Sequence, residues 1–206
     1  MIVGYKDYKH NYDFSNVRGV IHVGAHHGQE HEAYLTEYGV IPTHWFEPGA
    51  DAFAVLRETL AHDNRARLYN FALGPETGSL PLWTETANQG QSSSLAKPVK
   101  HLELFPHIEF VEGEVVKVRT LDSFGITNSN MLVLDVQGYE LEVLKGAVET
   151  LDRVDHVFCE VNDIVMYEGC PNLQSLSEFL SPFGFELKEI WWTSGNWGDG
   201  YWRKRR

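Results

Sequence analysis

Cysteine occurs only twice in the 206 residues, at Cys159 and Cys170, and the two are too far apart for a Cys-x-x-Cys pair. That spacing makes no zinc ribbon, and both thiols are expected to stay reduced, with Cys159 buried in the apolar run HVFCEV. Basic residues are scarce: 17 Lys and Arg stand against 29 Asp and Glu, for a net charge of −12. Tight binding to a phosphate backbone needs clustered cations, and the single basic cluster is the short tail WRKRR. Nucleic acid is therefore not the expected partner; the charge favours small or cationic ligands. No apolar run approaches the roughly 18 residues of a membrane-spanning helix, so no membrane span is expected. The opening MIVGYKDYKHNYDF lacks the apolar stretch of a secretory signal, which leaves a cytoplasmic location as the expectation.

What is present fits a globular chain, with 43% hydrophobic and 22% charged residues. The length suits a single domain over 1–206, with residues 1–17 read as an N-terminal extension. Short β-branched runs alternate with amphipathic segments. GVIHVG (19–24), THWFEP (43–48), ARLYNFAL (66–73), MLVLDV (131–136) and HVFCEVN (156–162) read as strands. Helices are expected from Gly28 to Tyr38, from about Asp51 to Leu60, over YELEVLKGAVETL and over LQSLSEFLSPFG. EVVKVRTLDSF reads as a strand and a short helix. FELKEIWW and YWRKRR, joined by TSGNWGDG, read as a closing antiparallel hairpin. The alternation predicts an α/β fold with a mostly parallel sheet, an antiparallel end, and helices on both faces. The polar stretch 85–113 is long for a connection within a domain and is expected to cover a substrate.

In such sheets ligands bind beyond the carboxyl ends of the strands. The first such end is GAHHGQEH. Its His27, Glu30 and His31 match the H-x-x-E-H pattern of one class of zinc peptidases, which would need two histidines one helical turn apart and a third ligand. The histidines instead follow a buried strand in a glycine-flanked turn, where backbone approaches a ligand closely; His31 is expected on a solvated helix face and His22 as a hydrogen-bonded interior residue. The turn is not the dinucleotide fingerprint, because His26 stands where G-x-G-x-x-G needs a glycine to admit a pyrophosphate. A cofactor without pyrophosphate, such as S-adenosylmethionine, removes that requirement. Glu47, 23 residues after Gly24 and followed by Pro48, is placed to accept hydrogen bonds from both hydroxyls of a ribose. Asp135 ends the most apolar strand, and Glu160 ends the next. Burying an unpaired carboxylate costs several kcal/mol, so both are expected at a cleft as a base-and-positioning pair.

Together VIHVGAHHGQE, FEP, NFALGPETG, SSSL, VRTLDSF and LDVQGYELEVLKGA resemble the FkbM family of S-adenosylmethionine-dependent methyltransferases, over about residues 18–204. The resemblance implies a Rossmann-like class I methyltransferase fold with seven strands, the last antiparallel. It implies that Gly24, Ala25, His26, His27 and Gly28 hold the methionine part of the cofactor and that Glu47, with Pro48, takes the ribose. Phe71, Ala72 and Leu73 would flank the adenine, and Asp135 would face the cofactor amino group or the acceptor. The family usually carries Asp, Asn and Glu where this chain has His22, His26 and Gln137. A catalytic duty for that glutamate is not carried over, because glutamine does not ionise.

The expected activity is methyl transfer to a hydroxyl of a sugar, glycan or natural product, with Asp135 or Glu160 as base and with Ser93, Ser94 and Asn162 toward the acceptor. His27 is a further candidate base if its ring points into the cleft. Two rivals stand beside it: a module that binds the cofactor without catalysis, and a zinc hydrolase built on His27, Glu30 and His31.

Overall fold

The computed structural model describes residues 12–193 and 196–205. Of the expected N-terminal extension, residues 1–11 lie outside the described residues, as do Ser194 and Gly195 of the expected hairpin turn and the terminal Arg206.

The strands β1 (Val20–Val23), β2 (Thr43–Phe46) and β3 (Ala66–Tyr69) run parallel, interleaved with α1 (His31–Tyr38) and α2 (Ala50–Thr59). After β4 (Ala72–Leu73), β5 (Gly78–Glu85), α3 (Lys100–Leu104) and β6 (Phe110–Arg119), the chain returns as β7 (Met131–Leu134). It continues through α4 (Glu140–Lys145), α5 (Val148–Arg153), β8 (His156–Asn162), α6 (Leu173–Leu180), β9 (Phe185–Trp192) and β10 (Trp197–Lys204). Seven of these strands form one sheet in the order β3-β2-β1-β7-β8-β10-β9, and β10 runs antiparallel to both its neighbours. The order reverses between β1 and β7, and at such a switch point the loops leave the sheet in opposite directions and open a crevice.

Side chains on a strand alternate between faces, and the core divides accordingly. Ile21, Val23, Leu132, Leu134, Val157 and Cys159 pack with residues of α4, α5 and α6. Val20, Met131, Val133 and Phe158 pack on the other face with Tyr34 of α1 and Leu56 of α2. Helices therefore cover both faces, as expected for a parallel sheet.

Four expectations change. The run ARLYNFAL is two strands: Asn70 donates through its side chain to the carbonyls of Glu47 and Pro48, and the chain turns out of the main sheet there. Ala72 and Leu73 pair instead with Val118 and Arg119, in a second sheet of order β4-β6-β5. That sheet takes in both ends of 85–113, so the stretch without strand is 86–109 and carries α3. The helix expected from Gly28 begins at His31, since Gly28 sits at φ +77° in the preceding turn. The helix after β7 is interrupted at Gly146, whose missing Cβ would stand 2.0 Å from the carbonyl oxygen of Gly74.

Candidate active site

Gly24 leaves β1 at φ +82°, and a Cβ there would lie 1.8 Å from the carbonyl oxygen of Asp135. Only glycine permits that approach, which brings the ends of β1 and β7 together. The N–H groups of Gly24 and Ala25 both donate to the carbonyl of Phe46, and Asp135 N–H donates to the carbonyl of Val23. Three strand ends are thus tied into one rim. Glu47, just past β2, accepts the His26 N–H on Oε2 and the Gly49 N–H on Oε1, each at 2.8 Å. Burial pushes its carboxyl up to about 7, although those two backbone hydrogen bonds pull the other way.

A cleft with about 560 Å³ of empty space opens above this rim. Gly24, His26, Glu47, Pro48, Phe71, Ala72, Leu73 and Asp135, all expected at a cofactor, line it. Ala25, His27 and Gly28 do not. Ala25 is buried in the core under α1 and α2. Gly28 approaches the Leu56 side chain, and a Cβ there would meet it at 2.9 Å. The His27 ring stacks on His26 with centroids 3.6 Å apart. His26 itself lies between a Gln29 amide at Nδ1 (2.9 Å) and the Gln89 carbonyl at Nε2 (2.7 Å). That pattern selects the tautomer with the proton on Nε2 and ties the turn to the 86–109 segment.

A second cavity, with about 830 Å³ of empty space open to solvent, shares Asp135 with the first. Asp135, Gln137 and Gln91 line both cavities, while Glu160 and Asn162 line the second. The two expected acids do come together, because β7 and β8 are neighbours with Leu134 opposite Cys159. Glu160 is buried, and burial followed by the charges of Asp135, Glu140 and Asp199 raises its carboxyl far above the usual carboxylate range. Neither acid pairs with Lys145, which bonds Glu142.

Gln137 joins the acids: its Nε2 donates to Asp135 Oδ1 at 2.8 Å and to Glu160 Oε2 at 2.7 Å. Ser93 and Ser94 line the first cleft rather than the second, with their hydroxyls engaged internally. Ser93 Oγ accepts from Glu85 N–H, and Ser94 Oγ donates to the Gln137 carbonyl at 2.7 Å. Reasoning from sequence did not single out Tyr167, His101, Phe105 and Trp197 of the second cavity. They come from loops, a short helix and a strand start remote in sequence, and no local pattern marks them.

His22 is the interior histidine expected, 2.8 Å from the Tyr34 hydroxyl and stacked on Trp45. His31, expected in solvent, instead holds Asp63 at 2.9 Å with only 15% of its side chain exposed. Among the described residues, no three His, Cys, Asp or Glu side chains are placed to share a metal ion. The zinc pattern in HGQEH is therefore not assembled: His27 faces His26, and His31 faces Asp63.

A family model described as "Methyltransferase FkbM domain" matches residues 22–187. The 2-O-methyltransferase NoeI of Sinorhizobium fredii is 25% identical over 173 residues, covering 80% of this chain and 71% of that protein. In three dimensions the chain resembles the FkbM methyltransferase of Methylobacillus flagellatus, with a TM-score of 0.65 and 15% identity. That match covers 93% of this chain and 44% of the other. A putative RNA methyltransferase of Pyrococcus horikoshii shares the fold at a TM-score of 0.53 and 10% identity, over 97% of this chain and 81% of the other. The turn at the end of β1, the acids on the neighbouring strand ends and the family match over most of the length agree: this chain belongs to the FkbM methyltransferase family.

Proposed function

We propose that the chain transfers a methyl group from S-adenosylmethionine to a hydroxyl of a sugar, glycan or natural-product acceptor. The observation that carries this reading is the wall of Asp135 and Gln137 shared by two cavities of unlike chemistry. The first cavity suits the cofactor. Glu47 offers a carboxylate to a ribose diol, and Phe71, Ala72, Leu73 and Leu82 offer apolar surface to a base. The second sets Glu160, Asn162 and His101 against the Phe105 and Trp197 rings, a mixture of polar and aromatic groups that suits a hydroxylated ring. A hydroxyl acceptor also accords with the relative NoeI being a 2-O-methyltransferase.

When bound, the cofactor supplies a methyl group on a positively charged sulfur. The protein's main contribution is to hold the acceptor oxygen against it, since such positioning can be worth roughly 7–11 kcal/mol. Asp135, on the shared wall, takes the proton that the acceptor hydroxyl loses, a step worth about 10²–10⁴-fold. Glu160, whose carboxyl burial pushes toward the protonated form, orients the acceptor as a hydrogen-bond partner beside Asn162. Residues 86–109 supply Gly90, Gln91, Ser93, Ser94 and Leu95 to the cofactor cleft, and Gln91 and Ser92 to the second cavity. This segment closes over both ligands and excludes water.

The test is transfer of labelled methyl to a panel of sugars, glycans and polyketide-like hydroxyls, with calorimetry of S-adenosylhomocysteine in parallel. Asp135→Asn is expected to abolish turnover with product affinity nearly kept, and Glu160→Gln to raise the acceptor KM. If both variants turned over like the wild type, the assignment of these acids would be wrong. Cofactor binding with no transfer to any acceptor would favour the non-catalytic binding module. Hydrogen exchange that stays unprotected over 86–109 with both ligands present would refute the closure.

A further inference from the structure

We propose that Gln137 is a positioning residue for methyl transfer, whose side-chain amide clamps Asp135 to Glu160 on the wall between the two cavities. The inference rests on the function proposed above and assigns Gln137 a role through the two acids rather than through the reacting oxygen or the methyl.

An amide carries exactly two N–H donors, and both are committed here, one to each carboxyl group, at 2.8 and 2.7 Å. Its remaining atom, Oε1, lies 3.1 Å from the Tyr167 hydroxyl, which is also 2.9 Å from the Ser92 carbonyl. The single phenolic proton serves one of these acceptors at a time. The backbone around the amide is equally constrained. Gln137 holds φ +55° and Gly138 φ +93°, a pair of left-handed residues in the turn between β7 and α4. A side chain in that region costs of order 1–3 kcal/mol and persists only where its surroundings enforce it.

The enforcing contacts are visible. Ser94 Oγ donates to the Gln137 carbonyl, Gly138 N–H donates to Glu140 Oε1, and Tyr167 packs so closely on Gly138 that a Cβ would meet it at 2.9 Å. These ties come from the 86–109 segment, the start of α4 and the loop before α6. The strained turn aims one amide at two acids.

An amide fits this place. Asp135 and Glu160 are neighbouring acids in poor contact with solvent, and ionising both there would set like charges against each other. Glu140 and Asp199 add to the negative field around Glu160. Gln137 supplies donors without adding a charge: its N–H favours the ionised form of Asp135 and fixes the direction of both carboxyl planes. A glutamate would add a third carboxylate, and a methionine would fill the volume without donating.

Gln137→Met and Gln137→Glu, on the full chain, separate positioning from packing. In Gln137→Met, kcat is expected to fall by about 10- to 100-fold. The acidic limb of its pH profile should move up by about one unit, as Asp135 loses a donor to its ionised form. Affinity for S-adenosylhomocysteine should change less than threefold, since the contacts proposed for the ribose and the base, at Glu47 and at Phe71, Ala72 and Leu73, are untouched. In Gln137→Glu the limb should move further up. A second readout needs no turnover: carboxyl-carbon NMR of the protein without ligands, in which the Asp135 and Glu160 resonances should titrate at higher pH in either variant. The inference is overturned if the limb and the titrations of Gln137→Met overlay the wild type, whether or not kcat drops. A wild type that transfers methyl to nothing would defeat the functional reading instead, while the ligand-free titrations would still decide whether the clamp exists.

Discussion

Replacing Glu47 with glutamine should strengthen the ligand-free protein at neutral pH and weaken its hold on the cofactor. Burial holds the Glu47 carboxyl at about 7 against an ordinary 4.5, a difference of 2.5 units. A carboxyl raised on folding contributes stability fully present below its unfolded value and lost as pH rises through its folded one. At about 1.36 kcal/mol per unit the loss is about 3 kcal/mol between pH 4.5 and 7, with no further change above. Between pH 5.5 and 8 the part due to Glu47 is about 2 kcal/mol. Glutamine resembles the protonated acid, in which one of the two backbone N–H groups also meets a poorer partner, so Glu47→Gln removes this pH dependence and leaves that of Glu140 and Glu160 in place. Urea denaturation of both proteins at pH 5.5 and pH 8 should show the wild type losing about 2 kcal/mol more than the variant. Calorimetry at pH 8 should show S-adenosylhomocysteine bound about 10- to 100-fold more weakly by the variant, the value of one or two hydrogen bonds to a charged acceptor. Parallel stability profiles would refute the buried-acid reasoning. Unchanged affinity would refute the ribose role.

Gly24→Ala should cost more than about 3 kcal/mol, because the new methyl would meet the Asp135 carbonyl from a left-handed backbone; differential scanning calorimetry checks it, and a shift of only a degree or two would mean the strand ends can part. Tyr167→Phe should lower stability by about 1 kcal/mol and raise the acceptor KM, by freeing the Ser92 carbonyl and Gln137 Oε1. Asp63→Asn should destabilise by about 1–3 kcal/mol while leaving cofactor affinity unchanged, since Asp63 holds the Arg65 guanidinium and His31 outside both cavities. Burial alone would raise the Asp63 carboxyl, but hydrogen bonds from Arg65 and His31 hold it well below the usual carboxylate range. Its contribution is therefore present above pH 3.8 and lost as pH falls below it, and the gap between wild type and variant in urea melts should close in acid.

The parallel strands were legible because their signals are local. VIHV, MLVL and HVFCEVN are rich in apolar and β-branched residues, and each ends at or just before a glycine or a polar residue that marks the rim. Glu47, Asp135 and Glu160 stood out for the same reason, as acids closing apolar runs. The second sheet was not legible: nothing in ALGPETG says that Ala72 will pair with Val118, 46 residues away, rather than extend β3. His31 misled for a related reason. Its helical position looked solvated, but Asp63 lies beyond α2 and only the fold brings it near.

Local pattern therefore settled the order of the parallel strands, the glycine turn after β1 and which acids stand at strand ends, because hydrophobic periodicity and backbone sterics act between near neighbours. The tertiary structure decided which groups meet. The switch between β1 and β7 joins Gly24 to Asp135, and the β7–β8 pairing sets Asp135 beside Glu160. The packing of Tyr167 on Gly138 then turns Gln137 onto both acids. Those contacts depend on the register and direction of segments far apart in the chain, which no local pattern encodes.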